Sequence, residues 1–175
     1  MTISYLHTIL FIDDDLDWHN IAKELCKSAG YHMESAFTVT EALVQCQRLS
    51  PLPILALVDL HLSGFAPQNT HVTFDGERLF VPFRNLGIYT VVLSSFLSEA
   101  EESLLAQQRP ELLGVISKYN LSPEVPSHEE FRNTIFPSKL HAFVATAEAA
   151  RRAEGQLPEQ QERLRALPLP LFPPS

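Results

Sequence analysis

The chain has 175 residues, 13 basic against 21 acidic, and a formal charge of -8; this is enough for one packed domain plus an appendage. It lacks the clustered Lys and Arg that a phosphate backbone or an anionic membrane surface demands, so direct DNA binding is not expected. A hydrophobic content of 45% against 19% charged excludes a disordered chain, and no apolar stretch approaches a membrane span of about 20 residues.

In chain order, residues 7–13 (HTILFID) form a short continuous apolar run, the pattern of a strand buried on both faces. The N-terminus carries neither a basic region nor a small-residue cleavage site, which predicts a cytoplasmic location. From Asp15 to Ala29, the residues Trp18, Ile21, Ala22, Leu25 and Cys26 recur at helical spacing, and Gly30 supplies the stop. A second strand fits residues 31–37. Thr38-x-x-Glu41 is a capping box opening a helix through Ala42, Leu43 and Cys46 to Leu49. Cys26 and Cys46 read as small core residues rather than a disulfide or a metal site.

The third strand, residues 53–59, is again apolar and again ends on Asp. A loop rich in Gly, Pro, Asn and Thr leads to a helix near Asp75–Asn85, followed by a strand at Tyr89–Ser94. Ser98-x-x-Glu101 caps a fourth helix, and Leu112–Ser117 is a fifth strand running into Lys118. Ser127-x-x-Glu130 is a further capping box, but Pro137 interrupts the helix it starts. Either that helix is kinked, or it divides into two pieces with Pro137 opening the second. After Gly155 comes a polar helix candidate and a Pro-rich end of polyproline II character. The expected division is a domain over residues 1–150 and a tail over 151–175.

Strands alternating with helices of this length predict a parallel sheet covered on both faces. Ligands of such sheets bind beyond the carboxyl ends of the strands. Four strands end on polar groups: Asp13-Asp14, Asp59, Ser94 and Lys118. Like charges at about 4 Å cost on the order of 4 kcal/mol at an effective dielectric near 20, so adjacent acids need a reason. Taken alone, Asp13 to Asp15 read as a helix N-cap and first-turn acids. Gathered with the other strand ends, the acids suit a hard cation such as Mg²⁺, which keeps positions for water and phosphate oxygens. A carboxylate opposite a hydroxyl and a lysine can also act as a nucleophile toward a phosphoryl group.

In these residues the chain resembles a bacterial two-component response-regulator receiver domain, over roughly residues 5–150. The matching stretches are FIDDD, ALVDLHLSG, VVLSS and GVISK, in that order, with FDGERLF similar to the stretch that opens the third helix. The resemblance implies a flavodoxin-like, doubly wound, five-stranded parallel sheet of order 2-1-3-4-5 with helices on both faces. It implies Asp59 as phosphoryl acceptor, Asp14 as direct Mg²⁺ ligand, Asp13 acting through metal-bound water, and the His61 backbone carbonyl completing the metal site. Ser94 and Lys118 would read the phosphoryl oxygens. The implied partners are a histidine kinase or phosphotransfer protein and a downstream protein target. No enzymatic turnover is implied beyond self-catalysed phosphotransfer and slow loss of the phosphoryl group.

Departures from the family pattern are plain. Tyr119 stands where proline usually follows the lysine, and Val115 occupies the aromatic switch position. An insertion of about ten residues lies between Gly64 and Asp75, includes His71, and is a candidate lid. His61 and Phe96 hold the positions that tune the lifetime of the phosphoryl group, and their bulk suggests a long-lived mark. Two other functions stay open: a haloacid-dehalogenase-type phosphohydrolase using Asp13, which leaves Asp59 unexplained, and a phosphate-independent docking module of the same fold.

Overall fold

Thr8–Ile12 form the first strand, β1, whose last four residues are buried. The computed structural model describes residues 7–62, 74–95, 97, 99–109 and 111–155. The inserted loop with Gly64 and His71, together with Phe96, Ser98 and the Pro-rich tail beyond 155, lies outside the described residues.

Helix α1 spans Leu16–Ser28 and is N-capped by Asp15, whose side chain accepts from Asp17 N. It ends in a Schellman turn: Tyr31 N–H donates to Cys26 O and Gly30 N–H to Lys27 O. Gly30 takes the positive φ of 82° that this turn requires. Strand β2 is His32–Ala36, and α2 is Val39–Arg48. Thr38 caps α2 by accepting from Glu41 N at 3.1 Å, while Glu41 Oε2 reaches back to Phe37 N at 2.8 Å. Strand β3 is Leu55–Asp59, buried throughout. A 3₁₀ turn, Asp75–Leu79, precedes the short helix α3, Phe80–Asn85. The strand predicted at Tyr89–Ser94 is β4, α4 is Glu99–Gln108 and β5 is Leu112–Ser117.

Helix α5, Phe136–Ala153, is entered through a π turn at Phe131–Ile135. Pro137 has no N–H for an i→i-4 bond, and its ring crowds the carbonyl four residues back. The extra residue of a π turn relieves that crowding, and Phe136 N–H accordingly bonds to Phe131 O. The chain therefore passes Pro137 through a π turn without dividing into two helices. The predicted Ser127-x-x-Glu130 box does not form, since none of these turns carries a side-chain cap bond.

The sheet is five-stranded, in the order β2-β1-β3-β4-β5, and every pairing is parallel. Because successive side chains of a strand point to opposite faces, β1 feeds two cores. Ile9 and Phe11 pack with Leu25 and Cys26 of α1 and Leu140 and Val144 of α5. Leu10 and Ile12 pack with Leu43 and Cys46 of α2 and Phe80 and Phe83 of α3. Leu105 of α4 joins this second core. Burial on both faces explains why β1 and β3 read as unbroken apolar runs. The architecture is the flavodoxin-like α/β fold. No helix among the described residues is long and apolar enough to cross a membrane.

Candidate functional site

The strand register sets the site. Ile12 pairs with Val58, Asp59 with Leu93 and Ser94 with Ser117. The residues at or just beyond these four ends are Asp13, Asp59, Ser94 and Lys118, so the parallel sheet delivers them along one edge. All four are buried, with Asp13 and Ser94 0% exposed. Asp14 is exposed, which opens the group to solvent on its side.

Lys118 Nζ sits between two carboxylates, 2.5 Å from Asp13 Oδ2 and 2.6 Å from Asp59 Oδ2. The approach to Asp59 has hydrogen-bond geometry; Asp13 Oδ2 meets the ammonium as a close charge contact. Asp13 Oδ1 accepts from Asp15 N at 3.0 Å, and Asp59 Oδ1 accepts from His61 N at 3.3 Å. Oxygens of Asp13, Asp14 and Asp59 lie within 4.8 Å of one another. Three clustered carboxylates, two of them in contact with the one ammonium, leave the group short of positive charge. Burial pushes the Asp13 carboxyl above its ordinary value; the close Lys118 ammonium and the bond from Asp15 N oppose this, and the Asp59 charge adds to it. A carboxylate so desolvated favours either a proton or a cation. The donor set is all oxygen, which suits a hard divalent ion.

The sequence reading places Asp13, Asp14, Asp59, Ser94 and Lys118, and the fold brings them to one edge. His61 lies two residues past the end of β3 and contributes the N–H bond to Asp59; its ring lies edge-on to Phe74 at 4.5 Å. Lys118–Leu121 is a 3₁₀ turn. The one cis peptide among the described residues is Ser50–Pro51, so the bond from Lys118 to Tyr119 is trans. Val115 packs against the core shared with α2 and α3.

Three features were not anticipated. Trp18, expected only to pack helix one, has its ring 5.1 Å from Lys118 Nζ, a cation–π distance. Gly76 lies against the end of β3, its N–H donating to Leu60 O at 3.1 Å. His19 is buried and bonds to the backbone of Asp13 at 2.8 Å. His19 lies three and seven residues before Ala22 and Cys26, an inward helical spacing that was the available signal.

No protein-family model matches the chain, and no curated protein matches it. Solved structures do. The chain is similar to a response regulator receiver domain protein (CheY-like) from Methanospirillum hungatei JF-1, at 21% identity and a TM-score of 0.56, covering 83% of this chain and 98% of that one. It is similar to a signal receiver domain from Vibrio parahaemolyticus at 15% identity and a TM-score of 0.57, covering 85% and 97%. NtrX from Brucella abortus matches at 16% identity and a TM-score of 0.61, over 86% of this chain and 29% of NtrX. The chain thus spans less than a third of NtrX and nearly the whole of the two isolated domains. At these identities the likeness establishes architecture, and the strand order agrees with it: the chain has the fold of response-regulator receiver domains.

Proposed function

We propose that the chain is a phosphorylation-responsive signalling module that accepts a phosphoryl group on Asp59 from a histidine kinase or phosphotransfer protein. The observation that carries this reading is the Lys118 ammonium held between Asp13 and Asp59, at 2.5 and 2.6 Å, with Ser94 at the next strand end. A carboxylate attacking a phosphoryl group needs positive charge beside it, since nucleophile and electrophile both carry negative oxygens.

In the proposed step an Asp59 carboxylate oxygen forms a bond to phosphorus as the P–N bond of the donor phosphohistidine breaks. The electron pair leaves with the imidazole nitrogen. Lys118 then exchanges its Asp59 contact for a phosphoryl oxygen, and the Ser94 hydroxyl donates to another. Asp13, Asp14, Asp59 and the backbone carbonyl of His61 would hold Mg²⁺, whose chemistry is to offset the charge between carboxylate and phosphoryl oxygens and orient the attack. The clustering of three acids around a single ammonium supports that assignment. The signalling unit is residues 1–150, with 151–175 as a tail. Output runs through protein contacts; Leu104 on α4 and Tyr119 after β5 are exposed large apolar side chains. Turnover is limited to self-catalysed transfer and slow loss of the phosphoryl group.

The test is intact-protein mass after incubation with a small-molecule phosphodonor and Mg²⁺, beside Asp59→Asn. One phosphoryl adduct on the wild type and none on the variant is the expected result. Steady release of inorganic phosphate by both proteins would replace the proposal with a phosphohydrolase. No adduct from either the small donor or a kinase would leave a docking module.

A further inference from the structure

His19 is 4% exposed on α1, and the proposed chemistry leaves it unused. Its ring is packed between two phenyl rings: Phe11 edge-on at 4.8 Å and Phe37 at 4.1 Å, tilted by 32°. Nε2 lies 2.8 Å from the backbone carbonyl oxygen of Asp13. A carbonyl only accepts, so Nε2 carries the hydrogen and donates. Nδ1 is buried with no hydrogen-bond partner.

A bare ring nitrogen in an apolar sandwich costs free energy that a leucine or phenylalanine there would avoid. What the imidazole supplies in exchange is the bond to Asp13. That bond acts on the peptide unit joining Asp13 to Asp14. The unit is planar, so fixing the Asp13 carbonyl fixes the direction in which the chain passes from one carboxylate to the next. Asp13 is tied at its other polar atoms too: its N–H donates to Ala36 O at 3.2 Å, and its side chain takes Asp15 N and Lys118. Carboxylates that repel one another drift apart unless the backbone holds them, and holding them beforehand removes an ordering cost when a cation arrives.

We infer that His19 is a positioning residue for the acidic cluster, its Nε2–H bond to the Asp13 carbonyl setting Asp13 and Asp14 for a divalent cation shared with Asp59. The inference rests on the cation reading above and extends it to a residue that touches neither cation nor phosphoryl group.

The test compares His19→Phe, which keeps an aromatic between Phe11 and Phe37 but has no donor, with His19→Gln, which keeps an N–H of similar reach but loses the ring. Mg²⁺ affinity of the full chain is read by calorimetry and by fluorescence of Trp18, the single tryptophan, and thermal midpoints are recorded without Mg²⁺. The expected result is a loss of about tenfold or more in Mg²⁺ affinity for His19→Phe, the range seen when an outer-shell partner of a metal ligand is removed. His19→Gln should stay within a few-fold of wild type even where its midpoint is the lower of the two. If His19→Phe is too bulky to fold, His19→Leu takes its place. Wild-type affinity in the donorless variant overturns the inference while leaving the metal site standing. Equal losses in both variants, following their midpoints, also overturn it by reducing His19 to packing. A wild-type chain that binds no Mg²⁺ overturns the metal reading and this inference together.

Discussion

Gly76 approaches Asp59 so closely that a Cβ built on it would meet the Asp59 carbonyl oxygen at 2.1 Å. The obstructing atoms are backbone, at the end of a strand buried throughout, so they cannot swing aside as a flexible side chain would. Gly76→Ala must therefore move either the 75–79 turn or the proposed phosphoryl acceptor. Forcing extra atoms into a packed site typically costs about 1–3 kcal/mol. Urea unfolding should show a loss in that range, and adduct formation at Asp59 should slow by a larger factor than the stability change explains. A variant that folds and labels like wild type would show that the turn gives way freely.

Asp13 carries a pH dependence whose sign follows from its burial. Its carboxyl titrates above the ordinary 3.8 in the folded chain, chiefly because burial disfavours the ionised form. The folded state thus holds this proton more tightly than the unfolded state. The contribution is fully present below the unfolded value and is lost as pH rises through the folded one. Ionising Asp13 in the metal-free folded chain therefore opposes folding. Asp13→Asn is expected to raise the thermal midpoint of the metal-free chain by a few degrees, equivalent to about 1 kcal/mol, and to remove the Mg²⁺-induced rise expected of the wild type. A lower midpoint for the variant in calorimetric scans at pH 7 would mean that the Lys118 contact outweighs the desolvation.

Why the sequence disclosed the sheet and the acids, yet not their supports, has a physical reason. Buried strands such as 8–12 and 55–59 announce themselves because both faces must be apolar, and a polar residue ending such a run stands out against it. Asp13, Asp59, Ser94 and Lys118 were legible on that ground, and the resemblance gave them roles. Gly76 was legible only as part of a family-like stretch, since its importance lies in a contact with a strand end 17 positions earlier. His19 hid in a helix whose apolar stripe was already accounted for. The π turn before α5 lay between two open readings, because Pro137 marks a disturbance without specifying how the backbone absorbs it.

A second pH dependence sits far from the site. Arg84 of α3 makes a bidentate pair with Glu154, just past α5, with the Nη1 bond at 2.8 Å. The Arg84 guanidinium also lies 5.0 Å from the centre of the Tyr89 ring. The hydrogen bond from Arg84 holds the Glu154 carboxyl below its ordinary value. The pair's contribution is present above the unfolded value near 4.5 and is lost as pH falls through the folded one. Both side chains are about a third exposed, so water screens the pair and its worth is below about 1 kcal/mol. Glu154→Gln should cost a few tenths of a kcal/mol in urea unfolding at pH 7 and nothing at a pH where the wild-type carboxyl is protonated. A loss independent of pH would assign the effect to packing at the end of α5.

Lys118 offers the sharpest separation between a structural and a cation-dependent role. Its ammonium is 3% exposed and is the charge lying between Asp13 and Asp59. Removing one member of a buried ion pair leaves uncompensated charge and commonly costs about 3–5 kcal/mol. Here the bereaved groups are two buried carboxylates with a third at the rim, the set proposed to hold a divalent ion. Lys118→Met keeps most of the aliphatic stem and deletes the charge. The metal-free variant is therefore expected to lose about 3 kcal/mol relative to wild type. Saturating Mg²⁺ should then raise its stability more than it raises that of the wild type, because the ion supplies the charge that the lysine had provided. Binding to the folded state alone stabilises by an amount set by the ratio of free ion to Kd, so a larger rise at one Mg²⁺ concentration reports tighter binding by the variant. Urea unfolding of both proteins with and without Mg²⁺ gives the four values needed. Equal Mg²⁺ increments would mean that ion and ammonium do not compete for the same electrostatic role. A destabilised variant indifferent to Mg²⁺ would remove the acids' claim to a cation.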